Sequence, residues 1–168
     1  MFHHLLVPTD GSQLSRDTAR RAVAFAKSVQ SRITAFYARS MAPSENYGDL
    51  VDTATRQRLA IRSEETSKTY LGFIHKLCKE AGVDCQTISV RSDTPWEAIV
   101  AAAESYRCDL IFLSKHGRGG LSSLLLGSET YRVLTHSRIP VLVCCPPESE
   151  PRRRKLKAKR RDRADKKP

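Results

Sequence analysis

Short apolar runs alternate with longer amphipathic stretches along the first 145 residues, and this alternation predicts the secondary structure. The five runs are short and rich in β-branched and aromatic residues, which is typical of strands. They cover residues 3–8, 32–38, 85–90, 109–114 and 140–145. The first, fourth and fifth runs are apolar on both faces, as are strands of a parallel sheet that is covered on both sides.

The stretches between the runs carry apolar residues at helical spacing. They predict helices over residues 12–29, from near 51 to 81, from Pro95 onward and from Ser128 onward. Gly82 is expected to end the second helix, because glycine readily adopts the positive φ of a C-terminal cap. A capping box with proline at the first helical position is expected to open the third helix, at residues 94–97.

The apolar face of the third helix predicts which of its side chains are buried. These are Trp96, Ile99, Ala103 and Tyr106. The fourth helix carries the apolar residues Tyr131, Val133 and Leu134.

The resulting order of elements, β-α-β-α-β-α-β-α-β, predicts the fold class. Repeated β-α-β units with right-handed crossovers give an α/β fold, an open doubly wound five-stranded parallel sheet with helices on both faces. We assign residues 1–145 to this domain. Residues 146–168 contain few apolar residues, and we predict that they form a disordered basic tail.

The net charge of +11 belongs mainly to that tail. Residues 151–168 hold eleven Lys and Arg against two Asp, so 9 of the 11 net positive charges lie there and the domain is nearly neutral. Two interpretations remain open, a solvated extension and a segment that binds nucleic acid or another polyanion. The tail contains no aromatic residue, so base stacking by the tail is not expected.

The remaining composition argues against a membrane protein and against a metal site. No apolar run approaches the ~18 residues of a membrane helix, and the first residues lack a basic signal-peptide region, so we predict a cytoplasmic protein. The five cysteines are odd in number and form no C-x-x-C, which indicates reduced thiols acting as small apolar residues. Neighbours in a strand point apart, which disfavours metal binding by Cys144 with Cys145 or by His3 with His4.

The glycine-rich stretch over residues 113–128 is the candidate binding site. It leaves the fourth strand at the carboxyl end of the sheet, where ligands bind in doubly wound folds. Its glycines allow close approach to an anion, and Gly127 and Ser128 open a helix whose N-terminus attracts phosphate. Lys115, His116 and Arg118 add cationic or donor groups, and Asp10 at the end of the first strand would face the same cleft and accept from ribose hydroxyls. The alternative is that the glycines only turn a loop, since neither G-x-x-x-x-G-K-[ST] nor a G-x-G-x-x-G after the first strand occurs.

Four segments together resemble the universal stress protein family. Residues 7–12 (VPTDGS) are similar to the family's opening, residues 92–99 (SDTPWEAI) to its third βα connection, and residues 135–143 (THSRIPVLV) to its last helix-to-strand junction. The spacing Ser114-x2-Gly117-x9-Gly127-Ser128 resembles its nucleotide signature, G-x2-G-x9-G-[ST]. The resemblance implies a sheet of order 3-2-1-4-5 and, as in many members, ATP binding.

The resemblance also implies which residues bind the nucleotide, which we expect to be ATP with Mg²⁺. The adenosine end would meet Pro8, Thr9, Asp10 and Ala38, and the ribose and phosphates would meet Leu113, Ser114 and Gly117 with His116 and Arg118 nearby. Phosphates would be held by backbone and hydroxyl donors of Gly127, Ser128, Glu129 and Thr130. The chain departs from the signature at Ser114, where the family has glycine; its Cβ could crowd the ribose at a cost on the order of 1 kcal/mol, or its hydroxyl could donate to the ligand.

The predicted function is therefore an ATP-binding stress-response or signalling module. The family resemblance implies a homodimer formed by antiparallel pairing of the edge strand at residues 140–145, and an apolar edge of this kind needs a partner. The alternative is a dimeric interaction protein without nucleotide, whose tail at residues 151–168 binds nucleic acid or another polyanion. Enzymatic activity is left open, because only His116 and Glu129 offer a general base for slow ATP hydrolysis.

Overall fold

Parallel strands and helices alternate along the chain in the computed structural model, which describes residues 1–40, 52–115 and 126–145. In chain order the elements are β1 (His4–Pro8), α1 (Gln13–Val29), β2 (Arg32–Arg39), α2 (Thr53–Ala81), β3 (Cys85–Arg91), α3 (Pro95–Ser105), β4 (Leu110–Ser114), α4 (Ser128–His136) and β5 (Val141–Cys144). The predicted tail lies outside the described residues.

The strands form one parallel sheet in the order β3-β2-β1-β4-β5, which confirms the predicted fold class. The central strand β1 pairs with β2 on one side, through Leu6 and Thr34, and with β4 on the other, through Leu6 and Ile111. The chain therefore moves outward from β1 in both directions. The strand order reverses between β1 and β4. In doubly wound folds ligands bind at such a point, in the crevice at the carboxyl ends of the strands.

Alternate side chains of the central strands enter two apolar layers, as the two-residue period of a strand requires. Leu5 and Phe112 face the layer covered by α1 and α2. Leu6 and Ile111 face the layer that contains residues of α3 and Val133 of α4. Every residue of β1 is buried, which explains its continuous apolar pattern.

Local caps fix the ends of the two longest helices. The Ser12 hydroxyl accepts the Ser15 N–H at 3.2 Å at the start of α1, and the Asp52 carboxylate accepts the Thr55 N–H at 2.9 Å at the start of α2. Gly82 ends α2 with a φ of 72°, as predicted.

The predicted capping box at the start of α3 is wrong. Thr94 makes no side-chain cap bond to the helix, and its hydroxyl instead donates to the Glu97 carboxylate at 3.0 Å. The two side chains therefore bind each other rather than backbone N–H groups. The N–H of Trp96 donates instead to the Glu129 carboxylate of α4.

One residue predicted to be buried, Tyr106, and two apolar residues of α4 lie on the outer surface. Tyr106 is 40% exposed because it follows the last turn of α3, and Tyr131 and Leu134 are 59% and 40% exposed on α4. Val133 supplies the contact that buries α4, whereas Ile99 and Ala103 are buried as expected and Trp96 packs partly buried against the same layer.

Candidate functional site

The loop between β1 and α1 is held in place by its own polar side chains. The Thr9 N–H donates to the Phe36 carbonyl at 2.9 Å, which anchors the loop to β2. The Thr9 hydroxyl accepts the Gly11 N–H at 3.1 Å, and the Asp10 carboxylate accepts the Ser12 N–H at 3.0 Å. Pro8, Thr9 and Asp10 are therefore presented in a defined conformation at the carboxyl end of the central strand.

Tyr70 of α2 closes one side of this loop. Gly11 has a φ of +76°, and a Cβ placed there would lie within 3.0 Å of three carbons of the Tyr70 ring. Tyr70 also meets Tyr37 of β2 edge to face, with 5.2 Å between ring centroids. The sequence analysis did not predict that Tyr70 borders the site, because no local sequence pattern links residue 70 to residue 11.

The two ends of the glycine-rich segment meet at the end of β4. The Lys115 N–H donates to the Cys144 carbonyl at 2.8 Å, and the Gly127 N–H donates to the Lys115 carbonyl at 2.9 Å. The N-terminus of α4 is thereby fixed beside the carboxyl ends of β4 and β5. His116, Gly117 and Arg118 lie outside the described residues.

The first turn of α4 begins at an N-cap residue that has no side chain. Gly127 is the N-cap residue, with a φ of −62°, and only its carbonyl takes part in the helix, accepting the Tyr131 N–H at 2.8 Å. The first N–H groups of a helix have no acceptor within the helix, and the helix dipole places partial positive charge there. Because the N-cap carries no side chain, an anion can approach these N–H groups closely.

Two side chains of that first turn bind neighbouring elements. The Thr130 hydroxyl donates to the Ser114 carbonyl at 3.0 Å, and Thr130 is buried. The Glu129 carboxylate accepts the backbone N–H of Trp96 at 2.9 Å, which caps the first turn of α3. These two bonds join α4 to β4 and to α3, and they therefore fix the position of the first turn of α4. The contact between Glu129 and Trp96 could not be predicted from the sequence pattern.

The predicted adenosine and ribose residues lie on neighbouring strands at one edge of the sheet. Pro8 and Leu113 are buried, Ser114 is half-buried at the last position of β4, and Ala38 lies near the end of β2. Ala38 packs on the α3 side of the sheet, the same side as Leu113. The structure thus brings the ends of β1 and β4 together with the start of α4, and places Ala38 one strand further out.

Neither a metal cluster nor a membrane helix is found in the part of the chain that the structure describes. No group of three or more His, Cys, Asp or Glu side chains there could hold a metal ion. No described helix combines the length and the apolar character needed to cross a bilayer.

The comparison with known proteins decides the family. The model of the universal stress protein family matches residues 1–144. The chain belongs to the universal stress protein family. Among curated relatives, universal stress protein MJ0531 of Methanocaldococcus jannaschii is 29% identical over 150 residues, which cover 89% of this chain and 86% of that protein.

Solved structures show the same fold. The protein MJ0577 of Methanocaldococcus jannaschii superposes with a TM-score of 0.71 at 25% identity, over 89% of this chain and 99% of that one. A universal stress protein in complex with cAMP gives a TM-score of 0.62 at 22% identity, over 85% and 97% of the two chains. A family member from Arabidopsis thaliana with AMP bound gives a TM-score of 0.64 at 15% identity, over 88% of this chain and 94% of that one.

Proposed function

We propose that this universal stress protein binds an adenine nucleotide, ATP in particular, in the crevice between the carboxyl ends of β1 and β4, and that it signals through its nucleotide-bound state. The observation that supports this most is the first turn of α4, whose N-cap residue Gly127 has no side chain and is held beside the end of β4 by its bond to Lys115. Two structural neighbours, solved with cAMP and with AMP, add support for an adenine nucleotide.

Each end of the nucleotide has a matching set of groups. The backbone N–H groups of Ser128, Glu129 and Thr130 would donate to the phosphates. The Thr130 hydroxyl already donates to the Ser114 carbonyl, so Thr130 would contribute through its backbone. Asp10 would accept from the ribose hydroxyls, and Pro8 and Ala38 would flank the base.

Mg²⁺ would arrive with the phosphates of the nucleotide. Mg²⁺ is usually held by one or two carboxylates together with substrate phosphates and water, rather than by a cage of protein ligands. Ser114 would lie beside the ribose, since it is half-buried at the last position of β4.

Calorimetric titration with ATP and Mg²⁺ tests the proposal. Asp10→Asn is expected to weaken binding about tenfold, which corresponds to roughly 1.4 kcal/mol. Asp17→Asn is the matched control, because Asp17 lies on the exposed face of α1 and pairs with Arg20. A folded wild-type protein that gives no binding heat, or equal losses in the two variants, would contradict the proposed site.

The proposed assembly is a homodimer through β5. The Ile111 N–H donates to the Pro140 carbonyl, and the Lys115 N–H donates to the Cys144 carbonyl. The backbone N–H and C=O groups of the even-numbered residues in this segment therefore point towards β4. Alternation then directs the backbone groups of Val141 and Val143 to the outer side of the strand. Among the described strands β5 is the outermost on its side of the sheet, and its first three residues are only half-buried. Both features favour pairing with a second copy.

Light scattering of the full chain at several concentrations tests this assembly. Val143→Pro removes an outward N–H while leaving the ladder to β4 intact, and proline is tolerated at such edge positions. The variant is expected to be a monomer with unchanged circular dichroism. A monomeric wild-type protein, or a folded variant that still dimerises, would exclude pairing through β5.

The charge of residues 151–168 favours a second role, binding of nucleic acid or another polyanion. Such binding should weaken steeply with salt, because each neutralised phosphate releases counterions. Retention of an RNA or DNA oligonucleotide should disappear when residues 151–168 are deleted. Equal retention by the full and the shortened chain would place the interaction elsewhere.

A further inference from the structure

The side chain of Tyr70 supports the sharpest bend of the loop between β1 and α1. The chain bends at Gly11, whose φ of +76° lies in the left-handed region. The three atoms closest to a Cβ built on Gly11 all belong to the outer edge of the Tyr70 ring. The ring therefore packs directly on the Gly11 backbone and fills the space next to the bend.

The Tyr70 ring is itself held in place from two sides. The next residue of α2, Leu71, is buried in the apolar layer under α1 and α2. The ring also meets Tyr37 of β2 edge to face, with an angle of 83° between the ring planes. Tyr37 directly follows Phe36, whose carbonyl accepts the Thr9 N–H. One short piece of β2 thus holds the loop through a backbone hydrogen bond and the ring through an aromatic contact.

The bend at Gly11 determines where the Asp10 carboxylate lies. Asp10 precedes Gly11, and its carboxylate accepts the N–H of Ser12, the residue on the other side of the bend, at 3.0 Å. The Gly11 N–H donates back to the Thr9 hydroxyl at 3.1 Å. Because these hydrogen bonds connect the residues around the bend, a change in the backbone at Gly11 would also move the Asp10 carboxylate.

Tyr70 reaches this loop from the side away from the proposed nucleotide site. α2 packs against α1, β2 and β3, whereas the proposed site lies between the ends of β1 and β4, and β4 is on the opposite side of β1 from β2. The influence of Tyr70 on a nucleotide is therefore transmitted through Gly11 and Asp10.

We propose that Tyr70 is a positioning residue, which holds Asp10 in the orientation that accepts hydrogen bonds from the ribose hydroxyls. The inference rests on the proposed nucleotide site and adds a preference for ribonucleotides over nucleotides that lack the 2′ and 3′ hydroxyls. A carboxylate that is already in place loses little conformational freedom when the sugar binds. Without the ring, the carboxylate would have to be ordered during binding, and the preference would decrease.

Parallel calorimetric titrations with ATP and with 2′,3′-dideoxy-ATP, both with Mg²⁺, test the proposal. The wild-type protein is expected to bind ATP about tenfold more tightly, because the dideoxy sugar cannot donate to Asp10. Tyr70→Leu should reduce this ratio to roughly twofold to threefold through weaker binding of ATP alone. Tyr70→Phe keeps the ring edge that packs on Gly11 and should retain the wild-type ratio.

Phe73→Leu is the matched control. Phe73 lies one turn further along α2, and its ring packs under the guanidinium groups of Arg16 and Arg20 of α1, at 5.4 and 5.2 Å from the ring centroid. The variant removes an aromatic contact between α2 and α1, as Tyr70→Leu does next to it, but leaves the ring on Gly11. It is expected to keep the full ratio between the two nucleotides.

Hydrogen exchange of the Ser12 amide measures the same effect without nucleotide. Exchange should be faster in Tyr70→Leu than in the wild type and in Phe73→Leu, because the Ser12 N–H is bound by the Asp10 carboxylate. If Tyr70→Leu does not fold, Gly11→Ala pushes the loop away from the ring and should lower the nucleotide ratio in the same way.

Three results would overturn the inference while leaving the proposed function intact. They are a full ratio in folded Tyr70→Leu or Gly11→Ala, an equal loss of affinity for both nucleotides in Tyr70→Leu, which would mean that the ring does not act through the ribose, and a ratio in Tyr70→Phe as low as in Tyr70→Leu. A wild-type protein that binds neither nucleotide would contradict the proposed function and this inference together.

Discussion

The ring of Tyr70 lies against Gly11 so closely that it leaves no room for a Cβ at residue 11. Gly11 also has a φ of +76°, which side-chain-bearing residues rarely adopt. Gly11→Ala should therefore suffer both a clash with a large ring and backbone strain. We expect a loss of about 2–4 kcal/mol in the free energy of unfolding, measured by urea denaturation.

Two other glycines serve as controls for this effect. Gly82 has a φ of +72° and an open surrounding, so Gly82→Ala should cost only the strain, about 1 kcal/mol. Gly72 lies within α2 with open space around it, so Gly72→Ala should be neutral or stabilise by up to ~1 kcal/mol. A Gly11→Ala protein as stable as Gly82→Ala would show that Tyr70 moves aside without cost.

The bond between Glu129 and the Trp96 N–H predicts that the two helices are coupled. Glu129→Ala leaves this N–H without its acceptor and should lower the free energy of unfolding by about 1 kcal/mol. Trp96 is the only tryptophan, so the change should also appear in its fluorescence. Glu129→Gln keeps an oxygen acceptor and should stay close to wild type, whereas equal losses in both variants would mean that charge, not the hydrogen bond, matters.

His4 predicts a dependence of stability on pH. Its side chain is 3% exposed, and its Nε2 lies 2.7 Å from the Thr34 hydroxyl. Burial and the nearby Arg32 lower the pKa of His4 below 6.5, although Asp109 partly opposes this. The unfolded chain therefore takes up a proton before the folded one as pH falls. The free energy of unfolding should decrease below about pH 7, by at most about 1.4 kcal/mol per pH unit for this one group, until the pH passes the folded pKa.

The comparison of His4→Asn with His3→Asn isolates that effect. His3 is exposed at the neighbouring position, so His3→Asn is the matched replacement of a histidine outside the core. The His4→Asn protein should show a shallower slope between pH 7 and pH 5. Parallel curves for both variants and the wild type would assign the acid sensitivity to carboxylates instead.

Much of the fold could be predicted from local patterns. The sheet follows from five apolar runs separated by helices, because parallel strands joined by right-handed crossovers have few arrangements. Gly82 could be placed at the end of α2 because positive φ is a property of single residues. The order of the strands came from the family resemblance, since apolar runs do not state which strand lies beside which.

The contacts that shape the crevice could not be predicted, because they join residues far apart in the sequence. Residues 94–97 match the sequence motif of a capping box, yet the acceptor for the Trp96 N–H is the carboxylate of Glu129, 33 positions later. Tyr131 and Leu134 fit an amphipathic spacing but lie on the outer surface of α4, since helical spacing alone does not show how wide the buried face is.

A crystal structure of the full chain grown with ATP and Mg²⁺ tests the central claim most directly. The account predicts phosphates bound to the backbone N–H groups of Ser128, Glu129 and Thr130, with the ribose beside Asp10. An ordered protein whose crevice contains no nucleotide, or is filled by the Ser114 side chain, would contradict it.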